Sequence, residues 1–353
     1  MICMRKVRIA LLLLSLVLCL ACCVEEYAYI RHSFFAMNTV CDVIRNEQIK
    51  DDYTVGTVGG VEEIMSRTAE GSEIYRINNG EYVVLSKETA YVLERALEIA
   101  AATDYAFNPC MGALTDLWDI TSGEKKVPSD EETKKALKLC DASAVSIENG
   151  RVFMPEGMKI DLGGIAKGYA LERACETMEE AAMGYAVSPD FCISLGGNIG
   201  VCGASEKMKK EGKKGWKVGI ANPFDGENTL GSLVMTSGCV AVSGSYERYF
   251  EKDGVIYHHI FDSATGKPAK SGLASAAVIC DDGLLGDALS TALFVMGEER
   301  AVEFYKKEIY DFEMILVTED GRVAVTKGIY DSFTASPNVK DKSGRKLEFE
   351  IVE

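Results

Sequence analysis

"DLGGIAKGYA", Asp161 to Ala170, changes character twice within its length. It follows an apolar strand end, passes through two glycines, and runs into a helical pattern that continues to about residue 182. Gly163 and Gly164 allow the backbone to approach a ligand closely. A helix N-terminus carrying Lys167 attracts phosphate, and the carbonyls of such a turn can ligate a hard cation. An ordinary strand-to-helix turn with Asp161 as its cap has the same signature. The stretch therefore fixes a mixed architecture before it fixes any chemistry.

Outward from this turn the two kinds of element separate only partly. Residues 27–44 read as a strand pair around "FFAMNT", and 53–69, 86–103 and 130–140 read as helices, the last two opened by Ser86 and Ser129. "FNPCMGALTDLW" (107–118) reads as a loop followed by a short helix. From 190 onward short strands dominate, with hairpin turns at Asn149-Gly150, Asp253-Gly254 and Asp320-Gly321 across the chain. Helices over 284–295 and 298–307 precede a last strand pair. The expected fold class is α+β, built of two interleaved layers without a clean domain boundary.

The first residues are set aside from the fold. Arg5, Lys6 and Arg8 precede the apolar run Ile9 to Ala21, which is the pattern of a secretory leader. "LCLACC" ends that run, and the expectation is a lipoprotein-type signal over 1–22, with lipidation at Cys22, Cys23 as its rival, and an uncleaved anchor as the alternative. One domain is expected over 23–340 and a C-terminal tail over 341–353. The chain carries 38 basic and 54 acidic residues for a net charge of −16. That balance argues against general nucleic-acid binding, and an anionic substrate would need local cations or a metal. Eight of the twelve cysteines lie beyond the leader and Cys23, singly and mostly inside apolar runs. They have no zinc spacing and read as small buried hydrophobes, although an even number in an exported chain permits disulfides.

Several segments could carry chemistry. "SLGGNIGVCG" (194–203) is no dinucleotide fingerprint, because no helix follows it, and "ATGKPAK" (264–270) lacks the spacing of a P-loop. His258 and His259 are two of only three histidines. On a strand they point to opposite faces, so only one can face a site, and a neutral imidazole there is a natural proton acceptor. In "GDALSTALF" (286–294), Asp287 and Thr291 share one helix face and offer two oxygen ligands to Mg²⁺ or Ca²⁺, with Ser290 beside them. Taken alone, Asp287 reads more simply as a helix cap.

"FFAMNT" (34–39), "DLGGIAKGYA" (161–170), "SLGGNI" (194–199), "SGSYERYF" (243–250), "YHHIFDSATGKP" (257–268) and "GDALSTALFVMG" (286–297) occur in this order. Together they resemble the ApbE family of FAD:protein FMN transferases, over about residues 30–330. The resemblance implies an α+β unit of two interleaved lobes, related to the T-fold, with FAD in the cleft between them. It implies Mg²⁺, with Ca²⁺ as the alternative, and transfer of FMN from FAD to a Thr or Ser hydroxyl of a target protein with release of AMP. The implied partners are exported FMN-binding domains of membrane redox complexes of the Rnf or sodium-pumping NADH:quinone reductase type. The protein itself would be held on the outer face of the cytoplasmic membrane by an N-terminal lipid anchor.

Carried over by motif, the metal ligands would be Asp287, Thr291 and the Gly164 carbonyl, with Ser290 nearby. FAD contacts would come from Met37, Met111, Gly112, Ala113, Asp161, Lys167 and Ile260. His259 is the expected general base and Asp161 its alternative. Two positions depart from the family pattern: Thr68 stands where an aromatic is common, leaving Tyr75 as the nearest ring, and Ala113 replaces a proline. Two competing functions use the same pocket. An FAD pyrophosphatase would put water in place of the acceptor hydroxyl, and a flavin-binding lipoprotein would need no cation ligands.

Overall fold

The computed structural model describes residues 28–121, 124–337 and 339–353. The expected leader over 1–22, its cysteines, and the start of the first strand at Tyr27 lie outside the described residues. Nine strands form the main sheet: β1 (Tyr29–Ala36), β2 (Thr39–Asn46), β3 (Phe191–Leu195), β4 (Asn198–Cys202), β5 (Cys239–Gly244), β6 (Leu273–Cys280), β7 (Glu313–Thr318), β8 (Arg322–Thr326) and β9 (Glu348–Val352). They lie side by side in chain order. Each neighbouring pair is antiparallel except β8 and β9, which run parallel.

Sequential strands in sequential positions mean that everything else in the fold is an excursion between neighbours. The longest excursion, between β2 and β3, holds α1 (Thr54–Met65), α2 (Lys87–Ala102) and α3 (Ala166–Gly184). The β6–β7 connection is α4 (Gly283–Tyr305), which breaks at Gly297 where φ is +77°. A side chain there would meet the Ser271 carbonyl at 2.8 Å, so glycine is required on both counts. The break separates the two helical patterns seen in the sequence.

Alternation along the strands sends side chains to two different layers. Cys41, Val43, Ile193, Leu195, Ala276, Val278, Met314 and Leu316 pack against the helices. Val240, Ala277, Ile279, Ile315 and Val317 face a three-stranded sheet of Trp216–Asn222, Asp225–Met235 and Phe333–Ala335. The two expected layers thus sandwich one shared sheet. Among the described residues no helix is long and apolar enough to cross a membrane.

Local signals account for the element ends. The Ser86 side chain accepts from Thr89 N at 3.2 Å, and Ser129 with Glu132 forms a capping box. The turns at Asn149-Gly150, Asp253-Gly254 and Asp320-Gly321 each join adjacent antiparallel strands. One expectation fails. Residues 341–353 are not a trailing tail, because Glu348–Val352 supplies the ninth strand and buries Val352. Its alternation is short and heavily acidic on the exposed side, which hides a strand from a sequence reading.

Candidate functional site

Helices α3 and α4 cross at their glycines. A side chain on Gly168 would lie 2.1 Å from the Gly283 carbonyl oxygen and 2.6 Å from Asp287 Cβ. This close approach brings the start of α3 and the second turn of α4 together. No side chain of its own caps α3. Asp287 does so from the neighbouring helix: its Oδ2 accepts from Gly168 N at 2.9 Å. The cap of α4 is Asp282, whose Oδ1 accepts from Leu285 N at 2.8 Å. Asp287 is therefore not the N-cap of its own helix, and its buried carboxylate has a second oxygen to spare for Lys167, whose Nζ lies 3.4 Å from Oδ1.

The same crossing sets the rest of the cluster. A side chain at Gly164 would come within 3.5 Å of Thr291 Oγ1, so the glycine turn lies directly against that hydroxyl. Thr291 Oγ1 also stands 3.3 Å from Ser243 Oγ on β5. Ser290 is fully buried behind them, 2.8 Å from Ser243 Oγ and donating to the Asp287 carbonyl at 2.9 Å. It steadies the cluster from behind and does not line the cavity in front of it.

That cavity has a volume of about 610 Å³, within the range of small-molecule sites. Met37, Met111, Asp161, Gly164, Lys167, His259, Ile260, Asp287 and Thr291 all line it. Gly112 and Ala113 do not. Gly112 is pressed against Lys159, where a side chain would meet Lys159 Cβ at 2.7 Å, and Ala113 packs toward the cluster of Trp118 and Phe261. The apolar stretch before Asp161 is not a sheet strand either: Ile160 N donates to Asn78 Oδ1 at 2.7 Å instead of to a neighbouring strand.

The paired histidines separate as alternation requires. His258 is buried, with Nε2 3.0 Å from the Ala269 carbonyl and Nδ1 accepting from Ile260 N at 3.3 Å. It is structural. His259 lines the cavity, and its Nδ1 lies 3.3 Å from the Arg248 carbonyl. A carbonyl only accepts, so Nδ1 carries the proton and Nε2 holds the free lone pair. Burial, then the nearby Arg248 and Lys167 cations, push the His259 pKa down to about 3. The alternative base, Asp161, is already engaged: Oδ2 accepts from Thr115 Oγ1 at 2.8 Å and Oδ1 from Gly163 N at 3.0 Å.

Other cavity residues carried no role in the sequence reading. Arg67 pairs with Asp116, lies 3.5 Å from Asp161 and donates to the Gly112 carbonyl at 3.4 Å. Arg248 donates to the Asn38 carbonyl at 3.4 Å, joining the β1–β2 turn to the histidine segment. Ser243, Glu247 and Arg248 belong to "SGSYERYF", so the motif located them without assigning them. Thr68 lines the cavity and Tyr75 does not; the rings that line it are Phe107, Phe261 and His259.

The ApbE family model matches residues 37–316. The chain belongs to the ApbE family. An ApbE relative, the FAD:protein FMN transferase of Treponema pallidum (strain Nichols), is 33% identical over 285 residues, spanning 76% of this chain and 77% of the relative. That of Klebsiella pneumoniae (strain 342) is 32% identical over 73% and 79% of the two chains. The crystal structure of the ApbE protein from Thermotoga maritima superposes with a TM-score of 0.75 at 33% identity, over 85% of this chain and 98% of that one. The flavin transferase ApbE of Vibrio cholerae shares the fold, with a TM-score of 0.71.

Among the described residues no three His, Cys, Asp or Glu side chains are placed to hold a metal. Asp287 and Thr291 instead offer one carboxylate and one hydroxyl at the cavity wall, beside the Gly164 turn. That all-oxygen set suits a hard cation that takes its remaining ligands from phosphate and water, and the donors present fit Mg²⁺ or Ca²⁺.

Proposed function

We propose that this chain is an FAD:protein FMN transferase, moving the FMN moiety of FAD onto a Thr or Ser hydroxyl of an exported FMN-binding domain and releasing AMP. The observation that carries the reading is the convergence of Asp287, Thr291, the Gly163-Gly164 turn, Lys167 and His259 on one cavity. The two phosphates of FAD are anionic and would meet an acidic protein. Lys167, the start of α3 and the guanidinium of Arg248 supply local positive charge at the cavity wall. Mg²⁺ held by Asp287, Thr291 and the Gly164 carbonyl would neutralise charge on the pyrophosphate, with Ca²⁺ as the alternative.

In the transfer, the acceptor oxygen bonds to the FMN-side phosphorus and the bond to AMP breaks. The hydroxyl proton passes to His259 Nε2, the unprotonated nitrogen. On its own this imidazole is a weak base, held down by burial and by Arg248 and Lys167. Two phosphate charges entering beside those cations offset them and raise the imidazole toward the range in which it accepts a proton. The base thus strengthens when its substrate is bound.

The reading extends to an exported location, with the chain anchored on the outer face of the cytoplasmic membrane through Cys22 or Cys23, and to acceptor domains of Rnf-type or sodium-pumping NADH:quinone reductase complexes. Incubation with FAD, Mg²⁺ and a Thr-bearing FMN-binding domain tests the central step. Intact-mass measurement should show FMN on the acceptor threonine. Free FMN and AMP with an unlabelled acceptor would identify a pyrophosphatase instead.

A further inference from the structure

Cys239 opens β5 and Cys280 closes β6, and the two are partners across antiparallel strands. Their sulfurs stand 3.7 Å apart. Cys239 Sγ donates to the Cys280 carbonyl at 3.2 Å, and Cys280 Sγ donates to the Asp282 carbonyl at 3.1 Å. Both lie beneath the first turn of α4: a side chain at Gly286 would come 3.0 Å from Cys280 Sγ and 3.6 Å from Cys239 Sγ. Directly opposed residues on antiparallel strands have Cα atoms about 4.5–5.5 Å apart, inside the span that a disulfide bridges. Closure to a bond of about 2.05 Å therefore asks for side-chain rotation and no strand movement.

We propose that Cys239 and Cys280 form a cross-strand disulfide that pins the β5–β6 pair beneath the start of α4. The bond forms by exchange with the disulfide of a small-molecule or protein oxidant. One thiolate attacks that disulfide and releases one thiol of the oxidant, and the second cysteine then displaces the other. The two cysteines lose two protons and two electrons, and the oxidant's disulfide becomes two thiols. Neither sulfur has a part in the transfer chemistry, and the inference stands whether or not that chemistry is correct. The hydrogen bond with Cys239, then burial, push the Cys280 thiol well up, which makes its thiolate scarce in the folded chain. Pairing is accordingly fastest while the strands are still assembling.

Refolding provides the test, because it removes the barrier of access. The reduced chain is unfolded in guanidinium, refolded with excess oxidised over reduced glutathione, quenched in acid, alkylated and mapped by mass spectrometry. The expected result is a peptide pair joined through Cys239 and Cys280, lost in both Cys239→Ser and Cys280→Ser. Amide exchange over residues 286–288 should slow at least about threefold in the oxidised wild type. Full alkylation of both thiols, dominant linkage to another of the eight cysteines such as Cys175, Cys192 or Cys202, or unchanged exchange over 286–288 would each overturn the proposal.

Discussion

The two faces of the nine-stranded sheet obey one alternation and meet different fates. On the face toward the small sheet, Val240, Ile279, Ile315 and Val317 close against Trp216, Val218, Ile220 and Leu233 in an apolar layer. On the face toward the helices, the same strands present Ala241 and Ser243 to α4, and small residues let α3 and α4 come close enough to place Asp287 on the end of another helix. The first face is close-packed by bulky residues. The second accepts glycine and buried polar groups in order to assemble a site, so a substitution should cost activity on one face and only stability on the other.

Asp287→Asn is the strongest test of that division. The amide oxygen can still accept from Gly168 N and cap α3, but the negative charge that faces Lys167 and the proposed cation is lost, and FMN transfer should fall by about a hundredfold or more, with weaker Mg²⁺ dependence. Far-ultraviolet circular dichroism should be unchanged. His259→Ala comes next, with a loss of about 10²–10⁴ in kcat and near-normal FAD affinity by fluorescence titration. A wild-type rate in this variant would remove His259 from the role of base. Its neighbour sharpens the contrast: His258→Ala should leave kcat nearly intact and lower the stability by roughly 1–3 kcal/mol, through the unsatisfied Ala269 carbonyl and Ile260 amide.

On the apolar face, Trp216→Ala removes a buried ring that donates to the Cys202 carbonyl at 2.8 Å. The expected loss is about 3–5 kcal/mol in chemical unfolding, with turnover per folded molecule unchanged. Gly168→Ala should break the comparison from the other side. A methyl group at the helix crossing should cost roughly 1–3 kcal/mol and also lower activity, because it displaces Asp287. A further test concerns pH. The folded pKa of His259 is about 3 against an ordinary value near 6.5, so the free enzyme keeps this imidazole neutral through that whole interval. The kcat/KM profile, which reports free-enzyme groups, should lack a limb near 6.5. The unfolded chain binds a proton at His259 that the folded chain refuses, so stability falls as pH drops from 6.5 toward 3, and His259→Gln should flatten part of that fall.

Legibility followed the physics of each feature. Turn chemistry and caps are local, so Asn149-Gly150, Asp253-Gly254, Ser86 and Ser129 could be read directly. The opposite orientations of His258 and His259 were legible from alternation, the motif resemblance singled out His259, and His259 is the one that lines the cavity. Asp287 and Thr291 could be paired by helix spacing, whereas the carboxylate's role as cap for α3 depends on a contact 119 residues away. Ser290 was read as a neighbour of the cation and proved to point into the Ser243 pair, since helix position alone does not set how deep a face lies. Gly112 was placed at the cavity by motif, while its closeness to Lys159 is a tertiary fact. The strand at 348–352 was missed because its partner, rather than its composition, makes it a strand.

The order of the strands carries a consequence for how the protein comes into being. The cavity wall runs from Met37 to Thr291, and β2 waits for β3 through every residue from 47 to 190 before it gains its second neighbour. Such distant pairings form late and slowly, because loop closure precedes any reward in contacts. A chain threaded out from its N-terminus has no pocket until α4 has emerged and docked. The nascent protein is blind to its substrate until Asp287 and Thr291 reach the cavity wall, at which point β7, β8 and β9 are still to be added to the sheet.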